Sequence, residues 1–157
     1  MSRTMIKDIQ WTCKEGGPGY SVQMNIDLDR FEKQYSRAQY ALDSRIMTDM
    51  IPYMPKQTGT FINVTSAMSA AIAGTGKVVA AAPPMGRFLY EGKVMVGVSS
   101  NSPFALKGEK KRVTDKALVF STAANPNAQA HWFDAAKTDH LDEWKRMTKK
   151  TAGGGTR

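Results

Sequence analysis

Cysteine is nearly absent, with Cys13 the one thiol in 157 residues. No internal disulfide can form, which fits a chain folded in a reducing cytoplasm. A single thiol with no CxxC partner reads as a small buried apolar group rather than a nucleophile. Long apolar runs are missing too. The longest, Val78 to Pro84, is Ala-rich and well short of the ~20 residues a membrane-spanning helix needs. Met1-Ser2-Arg3-Thr4-Met5-Ile6-Lys7 lacks an apolar core, so no signal peptide is expected. The only histidines, His131 and His140, lack the three- or four-residue spacing that puts two ligands on one helical face, so no metal site is expected. Acidic residues are outnumbered, 14 against 22 Lys and Arg, for a formal charge of +8. That excess suits nucleic acid, an acidic partner surface or simple solubility.

What is present suffices for one domain. A chain of this length buries roughly 70% of its unfolded surface, and its 41% hydrophobic content is ordinary for a globular core. Residues 1–150 read as a single domain, with 1–20 an N-terminal extension or hairpin strand and 151–157 a flexible tail through Gly153-Gly154-Gly155. Ile6 to Cys13 is β-compatible, and Glu15-Gly16-Gly17-Pro18-Gly19 is a turn. Tyr20, Val22, Met24 and Ile26 then alternate on one strand face, which predicts a hairpin.

Asp27 or Asp29 is expected to cap a long helix over 29–51. Its stripe of Phe31, Tyr35, Ala38, Leu42, Ile46, Met50 and Tyr53 should be buried. The opposite face carries Arg30, Lys33, Gln34, Arg37, Asp43, Arg45 and Asp49. Pro52 and Pro55 stop the helix near Ile51, and Gly59 permits a tight reversal. Phe61 to Ile72 and Lys77 to Ala82 read as a two-strand meander about Gly74-Thr75-Gly76, although Ala and Ser at 66–73 leave a helix open. Met85 to Gly92 predicts a short helix or turn closed by Gly92, and Val94 to Ser99 a strand. Ser100 to Arg112 reads as a long exposed loop and Ala117 to Ser121 as the last strand. A final helix starts at Asn125-Pro126-Asn127, with Trp132, Phe133, Ala136, Trp144 and Met147 apolar and His140 in the stripe. The order predicts an α+β fold: a mainly antiparallel sheet with one long helix packed across a face and a second, C-terminal helix.

Signs of chemistry are thin. His131 can pair with Asp134 across one turn, near His140 and Asp142, but no nucleophile or oxyanion hole accompanies them. No catalytic residue and no cofactor are expected. Gly74-Thr75-Gly76-Lys77 is only a fragment of a phosphate loop, and strand-like Val78-Val79 follows it instead of a helix. Asn63-Val64-Thr65 matches a glycosylation acceptor, but nothing routes the chain to secretion. Positive charge clusters at Lys107, Lys110, Lys111, Arg112 and Lys116, and again at Lys145, Arg146, Lys149, Lys150 and Arg157. The first cluster lacks the interleaved aromatics that stacking on single strands uses. Sequence-specific nucleic-acid recognition is therefore not expected, and non-specific binding stays open.

Four segments in order carry a resemblance. They are Tyr53-Met54-Pro55 through Thr58-Gly59-Thr60-Phe61, then Arg87-Phe88-Leu89-Tyr90-Glu91-Gly92, then Lys93 to Val96 with Ala105 to Gly108 and Val113 to Lys116, and last His131 to Lys137 continuing to Trp144. Together they resemble the minor capsid and tail-completion proteins of long-tailed bacteriophages, in which an aromatic-aliphatic-Pro-x-x-Thr-Gly-aliphatic turn follows the first helix. The segment before Tyr20 is longer than that family's pattern, and Phe88-Leu89 replaces its small-aromatic pairing. The resemblance implies a virion component of the head–tail junction, assembled in the host cytoplasm. It implies a homo-oligomeric ring, a hexamer, contacting other neck and tail proteins, with no cofactor and no turnover. On that reading the candidate interface is Arg87, Phe88, Tyr90, Lys107, Lys110, Lys111, Arg112, Lys116, Lys149 and Lys150, with Pro55, Thr58 and Gly59 as a structural turn and non-specific contact with packaged DNA. The alternative is a small basic nucleic-acid-associated protein.

Overall fold

The prolines end the long helix where expected. In a computed structural model describing residues 9–13, 22–26 and 28–153, α1 spans Asp29–Met50 and tightens into a 3-10 turn, Ile51–Tyr53, that holds Pro52. Asn125 closes this end by donating from Nδ2 to the carbonyls of Ile51 (2.9 Å), which also accepts from Met54 N, and Met54 (2.8 Å). At the other end Leu28 takes the cap position with no side-chain cap bond, and Asp29 is already the first helical residue. Asp27 lies outside the described residues.

The remaining elements are β1 (Ile9–Cys13), β2 (Val22–Ile26), α2 (Thr60–Ala71), α3 (Gly86–Glu91), β3 (Lys93–Gly97), β4 (Lys111–Ala117) and α4 (Trp132–Thr151). The class is α+β, with the expected long helix and C-terminal helix. The strands form two separate antiparallel ladders, β1–β2 and β3–β4. The main partner of α1 is α4. They run antiparallel: Arg45 Nη2 meets Glu143 Oε1 at 3.0 Å, Trp144 Nε1 donates to Asp49 Oδ2 at 2.7 Å, and Gly153 lies beside Gln34. Met47, Met50, Met54, Ile62, Trp132, Ala136 and Trp144 make the core.

Several expectations need correction. The helical stripe is buried only where α4 covers it. Ala38 and Met50 are buried and Leu42, Ile46 and Tyr53 half-buried, whereas Phe31 and Tyr35, in the first two turns of α1, are 48% and 58% exposed. Asp43 and Asp49, expected on the solvent face, are buried as hydrogen-bond acceptors. Residues 60–71 are helix rather than strand: Ile62, Thr65 and Ser69 recur at helical spacing and face inward. Lys77 to Ala82 consequently has no strand partner. Its amides turn to the α2 hydroxyls, Val79 N to Ser69 Oγ (3.3 Å) and Ala82 N to Thr65 Oγ1 (3.3 Å). The basic cluster expected in a loop lies largely on strand β4, and residues 118–121 are irregular. The last helix starts at Trp132 rather than at Asn125-Pro126-Asn127, which forms a turn before it. Thr151, placed at the start of the tail, is the last residue of α4; 154–157 lie outside the described residues. The turn at 15–19 does as well.

Candidate interaction surface

Trp132 is the point at which three of the four family-like segments meet. It is fully buried, and its indole N–H donates to Ala80 O (2.8 Å). Phe61 from the first segment meets its ring edge-on at 5.9 Å, and Tyr90 from the second at 4.9 Å. The second segment runs directly into the third at Lys93, where β3 begins, and Leu118, beyond the third, donates from N to Gly92 O (2.8 Å). Gly92 closes α3 at φ +63°, and a Cβ there would lie 2.6 Å from Ala130 Cβ.

Pro55, Thr58 and Gly59 lie in the turn after α1. With Phe61, Leu89 and Phe120 they line an open groove of about 450 Å³. Gly59, at φ +86°, is the cap position of α2.

The basic hairpin is more ordered than its composition suggests. Glu109 organises the β3–β4 connection. Its Oε1 accepts from the amides of Ser99 and Ser100 (both 2.7 Å), and its Oε2 from Ser100 Oγ (2.9 Å) and Leu106 N (2.8 Å). The backbone donors of Ser100 and Leu106 hold its carboxyl down to about 2, well below its ordinary value. Gly97 leaves room for it, since a Cβ there would come within 2.5 Å of Glu109 Oε1 and push the carboxylate out of this cradle. Sequence reading missed Glu109. The available signal was a lone carboxylate following a Ser-Ser-Asn-Ser run rich in free amides.

The candidate interface residues separate into groups. Lys111 and Arg112 hold the hairpin tip: Lys111 Nζ donates to Pro103 O (2.9 Å) and lies 5.9 Å over the Phe88 ring, and Arg112 Nη2 donates to Asn101 Oδ1 (2.8 Å). Arg87 and Phe88 line a shallow pocket of about 260 Å³ with Met95 and Val113, so this part of the set does come together. Lys107, Lys110 and Lys116 are exposed on the same hairpin, next to Phe104 at 87% exposed. β4 is exposed at every position except Thr114, and its lysines suit an edge strand that must not pair with arbitrary chains. Tyr90 is committed internally: it packs on Trp132 and on His131 (5.1 Å), and its hydroxyl reaches Asp134 Oδ2 (3.4 Å). Burial and the Asp134 charge raise its pKa. Lys149 and Lys150 stand apart from the hairpin, in the last turn of α4.

His131 Nδ1 lies 3.9 Å from Asp134 Oδ2, and His140 Nδ1 lies 3.7 Å from Glu143 Oε2. Both contacts are ion pairs only when the ring is protonated. His140 also stacks on Trp144. Tyr53 donates to Asp139, which raises the Tyr53 pKa. Among the described residues, no three His, Cys, Asp or Glu side chains gather as metal ligands. No described helix is long and apolar enough to cross a membrane.

Comparison with known protein families, with curated proteins and with solved structures finds no match.

Proposed function

We propose that this chain is a structural protein of a bacteriophage neck, forming a ring at the head–tail junction and acting only by binding. The observation that carries the reading is the ordered set of four family-like segments. The meeting of three of them at Trp132 supports it, since residues that define a family pattern by packing together should meet in one place. A closed ring needs two different faces on each subunit, each meeting the other face of a neighbour. The β3–β4 hairpin, with Arg87 and Phe88 behind it, is proposed as one contact surface toward neck or tail proteins. Its exposed Lys107, Lys110 and Lys116 also suit the phosphates of packaged DNA.

Deleting the gene and imaging the lysate tests the reading. DNA-filled or leaky heads and separate tails, with few joined particles, are expected. Normal numbers of joined, infectious particles would overturn it. Binding of purified protein to DNA that weakens steeply with salt, together with normal particles, would favour the basic nucleic-acid-associated alternative.

A further inference from the structure

At the end of the β3–β4 hairpin two large apolar side chains stand in solvent. Phe104 is 87% exposed and Leu106 69%. Both lie in residues 98–110, the connection between the strands, and that connection is braced. Gly97 N donates to Ser102 O (2.8 Å), Asn101 N to Gly97 O (3.0 Å) and Val98 N to Lys110 O (3.0 Å). The amide of Phe104 itself donates to Ser102 Oγ (3.2 Å), and that of Leu106 to Glu109 Oε2 (2.8 Å). Lys111 holds the carbonyl of Pro103, the residue before Phe104. Backbone fixed in this way has little freedom left to lose on binding, which suits a preorganised anchor. Holding a ring and a leucine out in water is unfavourable, and burial against a partner relieves it.

The charge around these two side chains has one sign. Between Gly97 and Val113 stand Lys107, Lys110, Lys111 and Arg112 against a single carboxylate, Glu109. That carboxylate is already occupied by the donors of its cradle. The tip therefore presents two apolar groups within a positive field.

We propose that Phe104 and Leu106 anchor the hairpin to a different protein of the junction, seated in an apolar pocket whose rim carries carboxylates. The proposal rests on the neck reading for where that protein is found, and adds the chemistry of the contact. An apolar anchor inside a charged rim matches the layout of protein interfaces, and opposite charge on the two rims speeds their encounter. Other occupants fit less well. DNA phosphates would take the lysines and leave Phe104 and Leu106 in water. A lipid surface asks for no fixed backbone, and here the backbone is fixed. A second copy offers like charge. The groove between α1 and α4, floored by Leu42, Ile46, Phe133 and Trp144, is rimmed by Lys137, Lys145 and Lys149. The groove beside Gly59 has Lys56 as its one charged lining residue. Neither lining holds a carboxylate to meet the tip.

Phe104→Ser with Leu106→Ser removes the apolar tip and leaves the lysines and the backbone braces in place. This variant should keep the wild-type denaturant midpoint and the wild-type salt dependence of DNA binding. Supplied in place of the wild-type protein, it should lower the yield of joined particles by about ten-fold or more, the effect of losing a central anchor. A photoreactive phenylalanine analogue at position 104 then identifies the partner. It should form an adduct with a different protein, on a segment where apolar residues stand beside Asp or Glu. Lys107→Glu with Lys110→Glu should abolish that adduct. A wild-type yield from the serine pair, where deletion of the gene abolishes joining, would overturn the proposal. So would an adduct confined to a second copy, to DNA or to lipid, or no adduct at all. If deletion leaves particles joined, the neck reading falls by itself, and the adduct still decides whether the tip meets an acidic, apolar protein site.

Discussion

Asp43 shows how far a single residue departs from its sequence pattern. The helical wheel puts it among solvated charges, yet it is 3% exposed. Its Oδ1 accepts from Gln39 Nε2 (2.7 Å), and its Oδ2 from the amides of Gly74 (2.8 Å) and Gly76 (3.1 Å). Nothing local marks this role, since the amides it satisfies lie 31 and 33 residues away. Asp43→Ala would leave the half-buried Gly74 amide without its acceptor while that of exposed Gly76 turns to water, so a loss of about 1–3 kcal/mol in urea unfolding is expected, the cost of roughly one unsatisfied buried group. By contrast Leu42 is only half-buried and lines the groove. Leu42→Ala should therefore cost less than the roughly 2–5 kcal/mol of a fully buried site, and Met50→Ala should fall within that range. Glu109 gives a prediction in pH. Its folded pKa is depressed to about 2, so the carboxylate stabilises the hairpin tip fully above its ordinary value of 4.5 and loses that contribution as pH falls through the window down to about 2. The amide resonances of Ser100 and Leu106 should titrate with a midpoint near the lower figure. A midpoint at the ordinary carboxylate value would show that the four-donor cradle does not form in solution.

Among the elements, those with a clear period and clear stops were legible. α1 shows its stripe and its two prolines, α3 its closing glycine, and β3 its short apolar run. α2 was not legible as a helix because Thr60, Ile62, Val64 and Thr65 are β-branched and favour extended backbone. The helix won because Ile62, Thr65 and Ser69 could be buried along one side, with two hydroxyls accepting from the segment running past. β4 was misplaced because its burial does not alternate: a strand exposed on both faces carries no period-two signal. Contact between α1 and α4 centres on Asp49, where the carboxylate accepts from Arg45 Nε (2.8 Å) and Trp144 Nε1 (2.7 Å). The hydrogen bond from Arg45 to Asp49 and the charges of Asp49 and Glu143 raise the Arg45 pKa. Asp49→Asn keeps an acceptor for the buried indole, whereas Asp49→Ala leaves it none. Denaturant midpoints should therefore fall further for Ala than for Asn, by about 1–3 kcal/mol. Equal losses would mean that charge, and not the indole bond, joins the helices.

For the whole molecule, the class and the placing of the long helix and the C-terminal helix followed from the sequence, while the second helix and the division of the basic residues into two kinds did not. Spacing cannot distinguish a lysine that reaches a loop carbonyl from one that reaches only water, because that depends on where Pro103 and Asn101 sit across the hairpin. The distinction decides which substitutions probe function. Neutralising Lys110, Lys111 and Arg112 together would disturb the tip, since Lys111 and Arg112 hold Pro103 and Asn101. Lys107, Lys110 and Lys116 have exposed side chains and can be removed without touching those contacts. Exposed charges contribute about 0–1 kcal/mol each even when paired, so Lys107→Gln, Lys110→Gln and Lys116→Gln combined should leave the denaturant midpoint nearly unchanged. If the hairpin is a contact surface of the neck, the triple variant supplied in place of the wild-type protein should be folded and yet yield fewer joined particles. If it meets DNA instead, each lost phosphate contact should flatten the salt dependence of binding, by about 0.9 in the log–log slope on a duplex. A triple variant that is folded, joins heads to tails at the wild-type level and binds DNA with the wild-type slope would remove this hairpin from the functional surface.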